Sequence, residues 1–263
     1  MVGGGSAPGP VYFDAAGAEV GSVREVGTPY WPLADLRLRT GDLRLRPIIE
    51  ADLAAIADLL PDDVELDPAA PILAGLDRRL QRGVVLHQAY WNARGTWRLE
   101  HWRLNFAVFA GAELIGTQEL EGEDFAVLRT VDTSSFLAVA ARGHGIGKRM
   151  RRAVLALAFG PLGAQVAVTS AWHDNSASLG VSRALGYQPN GRSWHRRGTG
   201  VDEFTHLRLT RDRWLSAPTG PATTITGFEP CRPWFALAGD AAQATPEGTG
   251  PSQRSASASP DSG

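Results

Sequence analysis

Long apolar runs, a cysteine framework and a strong net charge are all missing from this 263-residue chain. No stretch approaches the roughly 20 consecutive apolar residues that a membrane-spanning helix needs. The opening residues, MVGGGSAPGP, hold no basic region followed by an apolar stretch, so they do not read as a signal peptide. Cys231 is the single cysteine, and one thiol supports neither a disulfide framework nor a cysteine metal cluster. His87, His173 and His195 hold no metal-ligand spacing with one another, so no metal is expected. The formal net charge is −2, too small for a global field that draws the protein to nucleic acid or an anionic membrane. The expectation is a soluble cytoplasmic protein with no nucleic-acid or membrane partner.

The chain does hold glycine, concentrated in one place. Arg142, Gly143, His144, Gly145, Ile146, Gly147 and Lys148 stand between a strand-like run (131–139) and a helix-like run (148–159). A glycine-dense turn at a helix N-terminus presents unpaired backbone N–H groups and the positive end of the helix dipole, which together make a phosphate site. A nucleotide P-loop would require glycine at 142 and Ser or Thr at 149, but both positions hold arginine. A dinucleotide fingerprint requires G-x-G-x-x-G, whereas 143–147 reads G-x-G-x-G. Arg142, Gly145 and Gly147 do satisfy [RQ]-x-x-G-x-[GA].

Around this turn the pattern is mixed α/β. LRLRPI (43–48) alternates as a strand, and 50–60 places Leu53, Ile56, Leu59 and Leu60 at helical spacing up to Pro61. A second helix is expected over 72–86, continuing into 87–97. Strands at 106–109 and 114–120 flank Gly111 as a hairpin. A buried-type strand is expected at 165–170, then a helix from about 176 to 185 that ends at Gly186. A closing strand pair is expected at 194–195 and 204–209. The order implies one α/β (α+β) domain over 41–216. Residues 1–40 form an N-terminal extension, with the first ten or so disordered. Residues 217–239 form a C-terminal extension. The stretch 240–263 has no Val, Ile, Leu, Met or aromatic residue, so it reads as a disordered tail.

The Arg142–Gly145–Gly147 pattern, followed by Asn175, Ser178, Gly186 and Tyr187 in the N-x-x-S and G-[FY] spacing, resembles the GCN5-related N-acetyltransferases (the GNAT superfamily), in particular the branch of the ribosomal-protein acetyltransferases. The likeness covers 41–216. A narrower likeness, to members that use succinyl-CoA, rests on 31–39, 130–147, 174–178 and 207–214, and on GFEPCRPWF at 227–235, which implies that both extensions pack on the domain and that Cys231 is a packed residue.

The resemblance implies a mostly antiparallel mixed sheet, flanked by helices and splayed where acetyl-CoA or succinyl-CoA enters. It implies that Arg142, Gly143, His144, Gly145, Ile146, Gly147 and Lys148 cradle the pyrophosphate. Backbone groups of Leu137, Ala138 and Val139, with Asn175, would hold the pantetheine arm. Asn175 or Asp174 would equally cap the following helix. Many members place an acidic tyrosine seven residues after the asparagine; here that residue is Ser182, and Ser178 is the proposed donor to the leaving thiolate. Asp132 stands as the candidate base, with Glu119 and Glu121 behind it. The acceptor would be an amine on a small molecule or a protein, and members of the family are often dimers, so a homodimer is allowed. Trp91, Trp97, His101 and Trp102 border the expected acceptor cleft or belong to the core. A binding module that holds acyl-CoA without turnover is the alternative.

Overall fold

A computed structural model describes residues 29–65, 70, 73–217 and 220–237, with the backbone alone of 12–13 and 19–20. The expected disordered segments, the first ten residues and 240–263, lie outside the described residues. Near the N-terminus β1 (Tyr12–Phe13) pairs antiparallel with β2 (Glu19–Val20). The remaining strands are β3 (Arg37–Thr40), β4 (Leu43–Pro47), β5 (His101–Ala110), β6 (Glu113–Glu123), β7 (Thr130–Leu137), β8 (Val166–Trp172), β9 (Gln188–Arg197), β10 (Gly200–Thr210) and β11 (Thr224–Thr226). Among the described residues they form one nine-stranded sheet, in the order β11-β3-β4-β5-β6-β7-β8-β10-β9. Every neighbouring pair is antiparallel except β7 and β8, which run parallel.

Helices cover both faces. They are α1 (Leu53–Leu59), α2 (Arg78–Gly95), α3 (Phe125–Leu128), α4 (Ile146–Phe159), α5 (Ser176–Ala184) and α6 (Arg211–Ser216). On one face α4 buries Met150, Val154, Leu155 and Phe159 against a core that includes Leu38, Leu45, Phe106 and Leu120. Each such side chain, fully buried, contributes about 1.5–3 kcal/mol. On the other face α1 and α2 close over Ile48, Leu53, Ile56, Tyr90 and Ala107.

The sequence expectations shift in five places. The second helix begins at Arg78 rather than 72, because Asp77 caps it by accepting from Leu80 N–H at 2.8 Å. The hairpin strands are longer than the apolar stretches, because His101–Asn105 pairs with Glu119–Glu123 through charged residues. The strand entering the glycine turn ends at Leu137, since Val139–Ala141 winds into a 3-10 turn. The following helix starts at Ile146, two residues early, with Gly145 at φ +71° as its cap. The closing pair also extends well past the expected segments, since β9 is an edge strand with little apolar alternation.

The C-terminal segment packs inward. β11 pairs with β3, and the 3-10 turn Glu229–Phe235 buries Cys231 and Phe235 completely. Phe235 meets Trp102 edge-on at 4.9 Å and Trp97 at 5.6 Å. Trp97 and Trp102 are therefore core residues. Trp91 stands apart from them, half exposed and packed on His87.

Candidate active site

The site lies where β7 and β8 separate. Their parallel pairing covers only Thr130–Asp132 against Val166–Val168. At the parting point the threonine side chains take over: Thr169 Oγ1 donates to Thr133 O at 2.9 Å, and Thr133 Oγ1 to Val168 O at 3.4 Å. Beyond them 134–137 and 169–172 have no partner in each other. Gln118, fully buried, donates to Ser134 O at 2.8 Å and holds the freed stretch of β7 to β6.

The glycine turn caps this gap. Gly143 and Gly145 have φ of +82° and +71°, a region that favours glycine, and a Cβ at either would meet nothing within 4 Å. From Gly143 to Lys148 no backbone N–H has a backbone acceptor among the described residues, the first bonded one being Arg149 N–H to Gly145 O. Six donors at a helix N-terminus, next to Lys148, suit a pyrophosphate. Arg142 does not point its charge there. It forms a two-point pair with Asp63 at 2.6 and 2.9 Å and donates Nε to Leu137 O. It locks the loop to the segment after α1, and the pair holds the Asp63 carboxyl below its usual range.

Leu137 O accepts from Arg142, Ala138 N–H donates to Ile115 O at 2.9 Å, and Ala138 O and Val139 O accept from Ala141 and Arg142. Of the three expected pantetheine contacts, Ala138 donates its N–H to β6, the register turns the Leu137 N–H away from β6 toward the gap, and the Val139 N–H has no backbone acceptor among the described residues. Asn175 caps α5, its Oδ1 accepting from Ser178 N–H at 3.0 Å. Ser178 is half-buried in the first turn of α5. Ser182 is fully buried; it accepts from Arg151 Nη1 at 2.7 Å and donates to Ser178 O at 3.0 Å. Tyr187 is buried too, which pushes its phenol up to about 12.

On the opposite face lies a row of charge. Asp132 stands directly across from Glu121, Ser134 from Glu119, and Arg103 from Glu121. Arg103 bonds both Glu121 oxygens at 3.0 Å and lies 3.6 Å from Glu119; Ser134 donates to Glu119 at 3.2 Å. Water reaches Asp132, yet protein surrounds it on most sides, as in a cleft floor. Desolvation raises its carboxyl to about 6, and Glu121 pushes the same way. The Thr133 N–H at 2.6 Å, Arg151 and Arg103 pull it down. Desolvation also raises Glu119, against Arg103. A cavity of about 570 Å³ between α2 and β5, lined by Val85, Gln88, Asn92, His101 and Arg103, adjoins this row.

The glycine turn follows the freed end of β7, and α5 with Asn175 and Ser178 is tied to that strand through Ser182, Arg151 and Ser135, whereas Asp132 lies on the still-paired stretch of β7 with Glu121 across from it. Three participants were not foreseen: Arg103, Asp63 and Arg151. Only Arg151 left a signal in the sequence, since it shares the apolar register of α4 with Leu155 and Ala158.

A strand pair parted beside a glycine-capped helix, on a mixed open sheet, is the arrangement of the acyl-coenzyme A N-acyltransferase class. Among the described residues no group of three or more His, Cys, Asp or Glu is placed to hold an ion. The acetyltransferase (GNAT) domain family matches residues 42–188. The chain belongs to that family. Similar solved structures include Mycobacterium smegmatis RimJ in complex with CoA-disulfide, at 18% identity, TM-score 0.58, over 72% of this chain and 92% of that one. A chimaera of the spermidine N-acetyltransferase SpeG of Vibrio cholerae and hSSAT matches at 17% identity, TM-score 0.52, over 67% of this chain and all of that one (100%). At these identities the likeness shows the fold. No helix among the described residues is long and apolar enough to cross a membrane.

Proposed function

We propose that this protein moves an acyl group from acetyl-CoA or succinyl-CoA to an amine by direct attack on the thioester. The observation that carries the reading is the run of six unbonded N–H groups from Gly143 to Lys148 at the mouth of the β7/β8 gap. Those donors suit the pyrophosphate. The gap suits the pantetheine arm, and the Val139 N–H suits an amide carbonyl along that arm.

The acceptor amine enters from the face of Asp132, Glu119 and Glu121. Only its neutral form attacks, and amines are protonated near neutrality, with pKa about 8 for an α-amino group and about 10.4 for lysine. Asp132 at about 6 is a far better base than an ordinary carboxylate and still ionised at pH 7. Three carboxylates against one Arg103 leave the row negative, which draws in an ammonium. A small-molecule amine and a protein amine both satisfy this chemistry. Ser178 donates a hydrogen bond to the sulfur from the first turn of α5. The domain runs over 41–216, the C-terminal extension packs on it through β11 and the turn Glu229–Phe235, and a homodimer is compatible with it.

Free-thiol release from acetyl-CoA and from succinyl-CoA, measured over a panel of mono- and polyamines and peptide N-termini, tests the reading. Amine-dependent release with one donor supports it. Tight donor binding with no release on any amine favours a binding module instead, a reading to which the burial of Ser182 in place of a tyrosine acid lends weight.

A further inference from the structure

Arg151 is 3% exposed and has no carboxylate bonded to it. Its two hydrogen bonds go to hydroxyls: Ser182 on α5 at 2.7 Å and Ser135 on β7 at 3.3 Å. Its Nε has no partner, and neither has the buried hydroxyl of the nearby Tyr187. Burial disfavours its charge, and only the fields of Tyr187 and Asp132 oppose that. An uncompensated buried cation costs several kcal/mol, and removing one is often stabilising. Stability therefore does not explain Arg151.

Its position does. Ser135 lies three residues past the last β7/β8 pair, so the guanidinium bridges the free stretch of β7 to α5 along the side of the gap. Ser182 is the residue seven after Asn175, and its short side chain leaves room that the guanidinium fills. Because Ser135 Oγ accepts from Arg151, its own proton turns away from the arginine.

We propose that Arg151, acting through Ser135 and by its charge, stabilises the coenzyme A thiolate as it leaves. This inference rests on the acyl-transfer reading above. The amine nitrogen bonds to the thioester carbon, the carbon–sulfur bond breaks and its electron pair stays on sulfur. The surplus amine proton passes to Asp132, directly or through a water. Sulfur departs as an anion, so no acid is needed in the gap, and it takes a proton from solvent after release. Tyr187 and Asp132 are the titratable groups whose fields reach the guanidinium, and of the two Asp132 carries the charge near neutrality.

The thiolate absorbance of coenzyme A bound to the full chain, followed against pH, tests this. A free thiol of this kind titrates at about 8.5. The wild type is expected to hold bound coenzyme A with a thiol pKa at least one unit lower, and Arg151→Met to return it to the free value. Arg151→Lys keeps part of the shift and Ser135→Ala loses part. Arg151→Met melts at or above the wild-type temperature and loses about a hundredfold in kcat with little change in donor KM. Should Arg151→Met not fold, the wild-type titration and the lysine variant decide the matter. An unshifted thiol in the wild type, or a full shift in Arg151→Met, overturns the inference. So does a preference for succinyl-CoA over acetyl-CoA that vanishes in Arg151→Met, since the arginine would then serve an acyl carboxylate. A protein that binds no coenzyme A at all overturns the acyl-transfer reading instead.

Discussion

Burial raises the Asp132 carboxyl to about 6 because its neighbours do not suffice to hold its charge. Its own Thr133 N–H and two arginines favour the ionised form, but Glu121 directly across the strand and the surrounding protein disfavour it more. Two consequences follow. On the proposed mechanism the amine needs the Asp132 carboxylate, so kcat/KM should fall about tenfold per unit as pH drops below about 6. Asp132→Asn should lose this acid limb together with at least tenfold in kcat, and a limb that survives intact would pass the role to Glu119. The second consequence concerns stability. A carboxyl raised in the folded state binds its proton more tightly there, so ionisation costs the fold progressively between about pH 3.8 and about 6 and by a constant amount above. Asp132→Asn should melt higher than wild type at pH 7.5, and the difference should vanish below about pH 4. Ser178→Ala tests the donor: a drop below threefold in kcat would reduce Ser178 to a residue of the helix turn. The glycine turn at the head of α4 and the Asn175 cap of α5 were legible in the sequence, because each is set by local strand–turn–helix spacing. The Arg142–Asp63 pair was not, because 79 positions separate the partners.

At the scale of elements, the gap depends on β7 breaking from β8 while staying fixed to β6. Gly116 makes that attachment close. It sits at φ +158° opposite Leu137, where a Cβ would lie 2.3 Å from Phe136 O. No rotamer relieves a backbone clash, so the end of β7 must move. Gly116→Ala should weaken coenzyme A binding at least tenfold by calorimetry, whereas Gly111→Ala in the neighbouring hairpin turn, where a Cβ meets nothing within 4 Å, should leave binding unchanged. Equal affinities in both would mean that the gap tolerates a shifted strand. Period-two alternation revealed β4, and helical spacing revealed α1, α4 and α5. The edge strand β9 was harder to see, since exposed Gln188–Arg197 has no buried face to impose a pattern. The cap at Asp77 decided where α2 begins, against an apolar run that started earlier.

For the whole molecule, the C-terminal strand and turn belong to the same core as the catalytic domain. Phe235 and Cys231 are fully buried among Trp97, Trp102 and Phe228. Phe235→Ala should cost about 3–5 kcal/mol and lower the midpoint of a single unfolding transition monitored by tryptophan fluorescence. Two separate transitions would make 220–237 an independent unit. Burial also pushes the Cys231 thiol up to about 11. The mixed sheet and its helices were legible from element order alone. The tie between β11 and β3, 185 or more positions apart in sequence, was not.

Binding of coenzyme A measured by calorimetry, for the wild type and for Gly145→Glu, tests the central claim most directly. The account predicts one site on the wild type, and loss of binding when a carboxylate and a strained φ of +71° replace Gly145. Wild type that binds no coenzyme A, or Gly145→Glu that binds as tightly as wild type, would contradict the assignment of the Gly143–Lys148 turn as the pyrophosphate site.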